Sequence, residues 1–389
     1  MRASVGIAVI GFGWMGQAHS RSYARIPTLF PGRSADPRLV ICADSVPDRC
    51  VQAVESFGFE ASTVDPLEAV AHPEVDAVVV AAPNMFHEEL CLAAAAAGKH
   101  VFCEKPVGGT PGQTARIEKA ARDAGVITGV GYNYRWAPLV LHTRELIAGG
   151  ELGRITNYRG RFFSTYGADP LGLLSWRFEL DQAGYGATSD LLSHSIDLAM
   201  MLNGPIRQVI GMAETFIAER PLPRPGEGTH YDQGKPGDPA GQVTNEEYTG
   251  ALVRFANGSL GTFEASRTIV GPQSQMAFEI YGTGGSATWN LETMNEMQLF
   301  VSGSVPGYTT VYASDRHPYQ GAFVPGSANG IGYEDMKVIE DLQFLEAVAS
   351  GRQHQPGFAE ALDCVSVQAA LIRSWDSQQW EPVTSVRID

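Results

Sequence analysis

The sequence predicts an α/β protein in two parts: a doubly wound parallel sheet, followed by an α+β part built on a largely antiparallel, open sheet. Three observations predict this fold class. Short apolar runs alternate with helical patterns over the first ~130 residues, strand-like runs with hairpin turns follow, and 389 residues exceed what one hydrophobic core usually holds. We therefore expect a first domain over residues 1–135 and a second over residues 136–389, whose last helices can pack back on the first.

The first apolar strand, residues 5–10, runs directly into the turn Gly11-Phe12-Gly13-Trp14-Met15-Gly16, and Gln17 to Arg25 has a helical pattern. A strand, a GxGxxG turn and a helix in this order are what a Rossmann domain uses to bind a dinucleotide. The phosphates lie at the helix N-terminus, where free N–H groups and the helix dipole favour anions. All six residues of the turn are therefore candidate cofactor contacts. The alternative is a glycine-rich turn in some other α/β unit.

The next strand, residues 39–43, ends in Asp44. An acidic side chain at this position accepts hydrogen bonds from the adenosine ribose and repels a 2′-phosphate, which favours NAD over NADP. Arg49 is a second candidate contact and leaves some room for a phosphate. Alternatively, Asp44 only caps the helix that begins near Pro47.

The remaining pattern of the first domain is typical of a parallel sheet. Strands are predicted over 76–81, 100–103 and 127–130, and helices over 86–97 and 110–124. Ligands of such sheets bind outside the carboxyl ends of the strands. Two further loops fall at that edge, Ala82-Pro83-Asn84 and Glu104-Lys105-Pro106.

The second domain begins with a helix and then becomes rich in strands. We predict helices over 137–147, 187–202, 334–349 and 358–376, and strands over 155–164, 209–218, 249–255, 260–266, 276–281 and 287–290. Asn257-Gly258 is a strong hairpin signal. Residues 220–242 and 302–332 are rich in Pro and Gly and are predicted to be long loops, which often form lids or subunit contacts.

Composition narrows the range of partners. The formal net charge is -15 and no basic run occurs, which argues against nucleic acid or an anionic membrane as partner and favours a small molecule. No apolar run approaches the ~20 residues of a membrane span, and no signal peptide is recognisable. The five cysteines are odd in number and lack C-x-x-C spacing, so neither a disulfide framework nor a zinc site is indicated. We expect a cytoplasmic protein.

Lys105 is the first residue that can carry chemistry. It follows a buried strand at the predicted cofactor edge, and Pro106 biases its backbone towards an extended conformation. An ammonium held there can polarise a hydroxyl or carbonyl group of a substrate. The alternative is an ordinary surface lysine in a loop.

A second group of candidates lies on the predicted helix over 187–202. Asp190, His194 and Asp197 are spaced i, i+4 and i+7, which places them on one helix face. A histidine flanked by carboxylates suits a general base near neutral pH. A structural histidine is an equally open interpretation. A metal site is a third, but the sequence offers no clear further ligand, and no metal is expected.

Taken together, these motifs resemble the glucose-fructose oxidoreductase, inositol dehydrogenase and MocA (Gfo/Idh/MocA) family over nearly the whole chain. The matching residues are the glycine-rich turn, Pro83-Asn84 with His87, Gly98-Lys99-His100-Val101, Glu104-Lys105-Pro106, Asn133-Tyr134-Arg135, Gly153-Arg154-Ile155, Trp176-Arg177-Phe178, Gly184, Gly186, and Asp190 with His194 and Asp197. Leu191-Leu192-Ser193 departs from many relatives, which have a small residue there.

The resemblance implies an NAD-dependent oxidoreductase that acts on a hydroxyl group of a cyclic polyol, namely a sugar, an anhydrosugar or an inositol. It implies that Lys105 polarises the hydroxyl, that His194 is the general base, and that Asp190 orients both. Asp197 would support His194 or the helix. The implied cofactor contacts are Ala82, Pro83, Asn84, His87, Glu104, Lys105, Asn133, Trp176 and Arg177, and the implied substrate contacts are Lys105, Arg135, Tyr166, Asp190 and His194.

Other functions remain open on the sequence. The fold also allows an NAD-dependent glycosidase or epimerase that oxidises its substrate transiently at C3, and a non-catalytic regulator that binds a dinucleotide. Trp176 could alternatively be a core residue, because aromatic side chains often dominate protein cores. An open antiparallel sheet needs its apolar face covered, which suggests a homodimer or homotetramer.

Overall fold

The computed structural model describes residues 2–224, 229, 231–327 and 329–386. Helices are α1 (Trp14–Leu29), α2 (Pro47–Phe57), α3 (Pro66–Ala71), α4 (His87–Ala96), α5 (Pro111–Ala124), α6 (Pro138–Gly149), α7 (Leu180–Ala183), α8 (Ser193–Asn203), α9 (Gln320–Phe323), α10 (Tyr333–Ser350) and α11 (Phe358–Ser377). A π-helical turn, Thr188–Leu192, leads directly into α8.

Strands alternate with these helices in the first part of the chain and follow one another in the second. They are β1 (Ala3–Ile10), β2 (Ala35–Ala43), β3 (Ala61–Thr63), β4 (Ala77–Val80), β5 (His100–Cys103), β6 (Thr128–Val130), β7 (Ile155–Ser164), β8 (Ile206–Glu214), β9 (Glu219–Pro221), β10 (Ala240–Gln242), β11 (Tyr248–Phe255), β12 (Leu260–Ser266), β13 (Ser274–Gly282), β14 (Gly285–Asn290), β15 (Glu296–Val301), β16 (Thr309–Tyr312) and β17 (Glu381–Pro382).

The first sheet has six parallel strands in the order β3-β2-β1-β4-β5-β6. The order reverses between β1 and β4, and a ligand crevice forms at such a point, outside the carboxyl ends of the strands. Helices cover both faces, which is why β1 and β4 are almost continuously apolar and buried. The predicted doubly wound parallel sheet is confirmed.

The second sheet has nine strands in the order β16-β15-β14-β13-β7-β12-β11-β8-β17. Its pairs are antiparallel except β12 with β7, so the predicted, largely antiparallel open sheet is confirmed. Helices α8 and α11 pack on one face. The opposite face leaves Leu252 and Leu260 about half exposed, at 51% and 52%. That face would serve a homodimer or homotetramer, which stays a prediction.

Helix α10 connects the two parts. It follows β16 in sequence but packs along α1, and the ion pairs Arg21–Glu334 and Arg25–Asp335 join the two helices. Its Phe344 ring lies 5.5 Å from that of Phe102 on β5. The chain therefore returns to cover the first sheet beside the cofactor edge.

Several sequence predictions needed correction. The predicted loop 302–332 contains β16 and α9, the predicted loop 220–242 contains the short β9–β10 pair, and β15 was missed. The strands β9, β10 and β16 have only three or four residues, and β15 lies next to the edge strand β16, where side chains alternate weakly between core and solvent. Residues 225–228, 230 and 328 of the two loops lie outside the described residues. The predicted strand over 209–218 ends at Glu214.

Among the residues described, no helix combines the length and the apolar character needed to span a bilayer. All five cysteines are buried as free thiols.

Phe102 should be a major contributor to the stability of the first domain. Its side chain is 1% exposed and lies between His19 and Phe344, at ring distances of 5.0 and 5.5 Å. Phe102→Ala would leave a cavity there and lower the free energy of unfolding by about 3–5 kcal/mol. Urea unfolding followed by circular dichroism measures this. Val270→Ala, at a side chain that is 84% exposed, is the control and should change the midpoint little.

Candidate active site

The glycine-rich turn forms the floor of the crevice between β1 and β4, where the strand order of the first sheet reverses. Gly11 has φ +90°, and a Cβ there would lie 2.5 Å from the backbone N of Ala82. A Cβ on Gly16 would lie 1.9 Å from the carbonyl oxygen of Gly11. Apart from its two chain neighbours, no described residue has an atom within 4 Å of a Cβ built on Gly13, so the backbone is uncovered where α1 begins. The turn therefore offers free space beside a helix N-terminus, which suits a pyrophosphate.

Asp44 ties this turn to the neighbouring loop. Its Oδ2 accepts a hydrogen bond from the N–H of Phe12 (2.6 Å), and its Oδ1 accepts one from the N–H of Val46 (2.9 Å), just before α2. The guanidinium of Arg49 lies 3.4 Å from the same carboxylate. Asp44 thus both supports the start of α2 and stands beside the glycine-rich turn, so the two interpretations of this residue are compatible.

The side chain of Phe12 is turned away from the crevice. It is fully buried and packs edge-on against Phe57 and Phe59, with ring centroids 4.9 and 5.9 Å apart. Only the backbone of Phe12 could therefore contact the cofactor, and not its side chain.

His87 is also turned inward. Both ring nitrogens lie 2.8 Å from carbonyl oxygens, Nδ1 from that of Pro106 and Nε2 from that of Ala82. Burial lowers the pKa of the imidazole, although the two carbonyls act in the opposite direction. The ring therefore links the loop after β4 to the loop after β5, and both of its nitrogens have partners there. A cofactor contact of His87 stays a prediction.

Asn84 and Pro83 are placed at the edge of the first sheet, as predicted. Asn84 is partly buried, and its Nδ2 donates a hydrogen bond to the carbonyl oxygen of Ala183, 3.0 Å away. Ala183 belongs to the second part of the chain, so this contact crosses the crevice.

Lys105 makes the central contact between the two parts. Its Nζ donates to the backbone O (2.8 Å) and to Oδ1 (2.7 Å) of Asp190. The Oδ2 of Asp190 accepts a hydrogen bond from the Tyr166 hydroxyl (2.8 Å), and a guanidinium nitrogen of Arg177 lies 3.6 Å from Oδ1. Burial alone would raise the pKa of the Asp190 carboxyl, but the charges of Lys105 and Arg177 outweigh it and hold the pKa well below its usual range. Asp190 is therefore a carboxylate surrounded by donors.

His194 lies on the first turn of α8, within an aromatic environment. Its ring centroid is 4.7 Å from that of Tyr134 and 5.9 Å from that of Phe162, and its buried Nδ1 has no hydrogen-bond partner among the described residues. Burial, and after it the Lys105 ammonium, lowers the pKa of His194 well below 6.5. The imidazole is therefore neutral at neutral pH and can accept a proton.

Arg135 and Asp197 form a separate pair. The guanidinium donates to both carboxylate oxygens of Asp197, at 2.7 and 2.6 Å, and both side chains are buried. Asp197 therefore pairs with Arg135 and makes no hydrogen bond to His194 among the described residues, and a substrate contact of Arg135 stays a prediction. The common face predicted for 190–197 also needs correction, because the π turn Thr188–Leu192 breaks the 3.6-residue period before His194.

The remaining candidates divide between rim and interior. Trp176 and Arg177 are partly buried at the rim, with the guanidinium 4.6 Å from the ring centroid, so Trp176 is not a core residue. Asn133 is 1% exposed, and its Nδ2 has no partner within the described ranges. The Glu104 carboxylate points into the interior and bonds to Lys337, so its predicted cofactor contact is limited to its backbone.

Sequence reasoning missed two residues beside the crevice. Tyr333, at the start of α10, stacks on the exposed ring of Trp14 with centroids 5.4 Å apart. Lys337, one turn later, is fully buried. A signal for Lys337 was available, since it lies in a helix whose neighbouring positions are apolar, where a charged side chain needs a buried partner.

Two family models match the two parts of the chain. One family model, described as "Oxidoreductase family, NAD-binding Rossmann fold", matches residues 5–132, and a second, described as "GFO/IDH/MocA C-terminal domain", matches residues 140–288. The chain is 36% identical over 387 residues to levoglucosan dehydrogenase of Pseudarthrobacter phenanthrenivorans, covering 98% of this chain and 99% of that protein. It is 29% identical to scyllo-inositol 2-dehydrogenase (NAD(+)) of Bacillus subtilis over 74% of each chain.

Solved structures of similar proteins have the same fold. A levoglucosan dehydrogenase in complex with NADH and levoglucosan superposes with a TM-score of 0.92 at 35% identity, over 98% of this chain and 100% of that one. An inositol dehydrogenase homologue from Azotobacter vinelandii shares the fold, with a TM-score of 0.81 at 20% identity over 98% of this chain and 97% of that one.

The electrostatic effect of Lys105 on the pKa of His194 can be measured directly. Lys105→Met removes the ammonium and should raise the pKa of His194, while burial still holds it below 6.5. The His194 imidazole therefore begins to protonate at a higher pH than in the wild type. The measurement is an NMR titration of ¹³C-labelled histidine, with the His194 signal assigned from a His194→Asn sample. An unchanged titration in the folded variant would show that the two groups do not interact.

Proposed function

The chain belongs to the Gfo/Idh/MocA family of oxidoreductases, and on that basis we propose that it is an NAD-dependent dehydrogenase that oxidises a ring hydroxyl of a cyclic polyol: a sugar, an anhydrosugar or an inositol. One observation carries this proposal. The Lys105 ammonium, from the carboxyl edge of the first sheet, meets Asp190 and the nearby His194 of the second part beside the glycine-rich turn.

The residues of the first sheet fit NAD. The backbone around Gly13 is open at the N-terminus of α1 and would hold the pyrophosphate, while Asp44 would accept hydrogen bonds from the adenosine ribose. Asn84 would line the nicotinamide ribose, and Trp176 with Arg177 would form the wall between cofactor and substrate. When bound, NAD supplies the acceptor for the hydrogen that leaves the substrate carbon with its electron pair.

The protein side of the reaction follows from the charges. Lys105 donates a hydrogen bond to the reacting hydroxyl and stabilises the negative charge that develops on its oxygen. His194, neutral at rest, takes the hydroxyl proton, so the O–H electron pair forms the C=O bond as the C–H hydrogen departs. Asp190 holds Lys105 through two hydrogen bonds and remains ionised. General-base action of this kind contributes about 10²–10⁴-fold to the rate.

The two named relatives support the substrate class. Levoglucosan is an anhydrosugar and scyllo-inositol a cyclitol, and both present secondary ring hydroxyls. The polar donors around the proposed hydroxyl position, Lys105, Tyr166 and Arg177, suit a substrate with several neighbouring hydroxyl groups.

The first functional test is a panel of pyranoses, anhydrosugars and inositols with NAD, followed through the absorbance of NADH. Lys105→Met and His194→Asn should each lower kcat by about 10²–10⁴-fold, because each removes a group that acts on the reacting hydroxyl. The dissociation constant for NAD should change little. Lys119→Met, which removes an exposed ammonium paired with Asp123, is the matched control and should keep wild-type kcat.

Other results of the same panel would contradict the proposal in distinct ways. Product formation with no net NADH would indicate a glycosidase or epimerase that oxidises its substrate only transiently. Tight NAD binding without turnover of any substrate would indicate a regulator. If the Lys105→Met variant turned over substrate at the wild-type rate, Lys105 would have no role in the reaction and the proposal would lose its main support.

The second functional test concerns coenzyme choice. Asp44→Ser removes the charge that would repel the 2′-phosphate of NADP and would bind the ribose of NAD. We expect kcat/KM for NAD, divided by kcat/KM for NADP, to fall about tenfold to a hundredfold. This is the range expected when one charged hydrogen bond and one charge repulsion are lost together. Asp48→Ser, in the first turn of α2, is the control because its side chain is exposed. If the NAD-to-NADP ratio of kcat/KM did not change in folded Asp44→Ser, the role of Asp44 would be purely structural.

A further inference from the structure

A group of five buried titratable side chains lies behind the Lys105 turn, and the proposed mechanism does not use them. We call it the Glu104 cluster. Its members come from α1, from the end of β5 and from α10, and none is more than 7% exposed: His19, Glu104, Lys337, Glu340 and Asp341.

The Glu104 carboxylate is the centre of this cluster. Its Oε1 accepts a hydrogen bond from His19 Nε2 (3.1 Å) and a short one from Lys337 Nζ. Lys337 also donates to Glu340 (2.7 Å), and the other ring nitrogen of His19 donates to Asp341 (2.8 Å). The cluster therefore fixes one oxygen of Glu104 with two donors from two different helices.

The second oxygen of Glu104 is linked to the proposed active site. Its Oε2 accepts a hydrogen bond from the backbone N–H of Lys105, at 3.2 Å. A Cβ on Gly131, at the end of β6, would lie 2.5 Å from the same oxygen, so the carboxylate is closely confined. Any change in the orientation of Glu104 therefore moves the backbone from which the Lys105 side chain extends to Asp190.

The same cluster reaches the dinucleotide edge. His19 lies on α1, whose first turn follows Gly13, and Lys337 lies on α10 one turn after Tyr333, which stacks on Trp14. The carboxylate of a single residue thus connects the helix expected to hold the pyrophosphate with the loop that carries Lys105.

Charge within the cluster supports a positioning role over a metal site. The donor atoms of His19, Glu104 and Glu340 lie within 4.8 Å of one another, a spacing that could hold a cation. The Lys337 ammonium is already bonded to both carboxylates, so a cation of the protein itself occupies the place of a metal ion. Burying several charges is costly, and apolar residues would pack α10 on α1 without that cost.

We propose that His19 and Lys337 are positioning residues: by holding the Glu104 carboxylate they set the orientation of the Lys105 backbone, and so direct its ammonium to Asp190 and to the reacting hydroxyl. The kinetic test of this inference rests on the proposed dehydrogenase function, whereas its spectroscopic test does not require that function.

The kinetic test is a double-mutant cycle with Lys337→Met and Glu104→Gln. Lys337→Met should lower kcat about 10-fold to 100-fold, because displacing a reacting group by about 1 Å costs a factor of this size, with a smaller change in KM. If Lys337 acts through Glu104, the double variant should lose no more than the more affected single variant. Losses that multiply, or a Lys337→Met variant with wild-type kcat, would overturn the proposal.

The spectroscopic test needs no substrate. His19→Gln should weaken the hold on Glu104, move Lys105 and raise the pKa of His194, in the same direction as Lys105→Met. His19 itself is not among the main groups that shift this pKa, which are Lys105, Glu104, Asp190 and Lys337, so its direct effect is small. An unchanged His194 titration in folded His19→Gln would overturn the proposal, even if the wild-type protein oxidised no polyol and the proposed function had failed.

Arg21→Gln is the matched control for both tests. It breaks the Arg21–Glu334 ion pair between the same two helices but makes no contact with Glu104. It should leave kcat and the His194 titration within about twofold of the wild type, since a partly exposed ion pair contributes little. If Lys337→Met does not fold, the double-mutant cycle is made with His19→Gln and Glu104→Gln instead. The double variant should then again lose no more kcat than the more affected single variant.

Discussion

The structure depends on one constraint at the end of β5, where two adjacent residues of opposite charge must point in opposite directions. The Glu104 carboxylate enters the interior and is held by His19 and Lys337, whereas the Lys105 ammonium crosses the crevice to Asp190. The flanking cations outweigh burial and hold the pKa of Glu104 below its usual range, so it stays ionised. A buried carboxylate needs such partners, and these partners fix the turn from which Lys105 extends.

This constraint explains why α10 returns to the first sheet. The chain completes the second sheet up to β16 and then places eighteen residues of helix along α1, with Lys337 directed at Glu104. The imidazole of His19, whose pKa is raised to about 9 because Asp341 and Glu104 together outweigh its burial, is a cation in the same place. The two parts of the chain are therefore joined on both sides of the Lys105 turn, by the Glu104 cluster behind it and by Asp190 in front.

Local patterns sufficed to predict much of the fold and the location of the site. The bounds of β5, β7 and β12, the glycine-rich turn and the position of Asp44 all follow from short-range periodicity and from the rule that parallel strands present ligands at their carboxyl ends. The orientation of individual side chains could not be predicted in this way. His87 is placed at the correct edge but turned inward, and the partners of Glu104 lie far away in sequence.

The same limit explains the error at Asp197. Helical spacing places Asp197 one turn after His194 within α8, yet Arg135, distant in sequence, pairs with Asp197. The π turn at Thr188–Leu192 changes the helix phase only before His194, between Asp190 and the histidine. His194 is left among aromatic rings without a carboxylate to orient it, and its buried Nδ1 has no partner within the described residues.

In the proposed reaction, this environment would give Lys105 and His194 distinct electrostatic roles. A histidine backed by a carboxylate would be more basic and would carry more positive charge in the resting protein, close to the Lys105 ammonium. Burial and that ammonium keep the His194 imidazole neutral, so of these two groups only Lys105 is positively charged. In the proposed reaction this charge would stabilise the hydroxyl oxygen as its proton leaves. In the proposed reaction the imidazole would gain charge only as the substrate oxygen loses its proton. The attraction between the Lys105 ammonium and that oxygen would then be strongest in the transition state, which is the condition for it to accelerate the reaction.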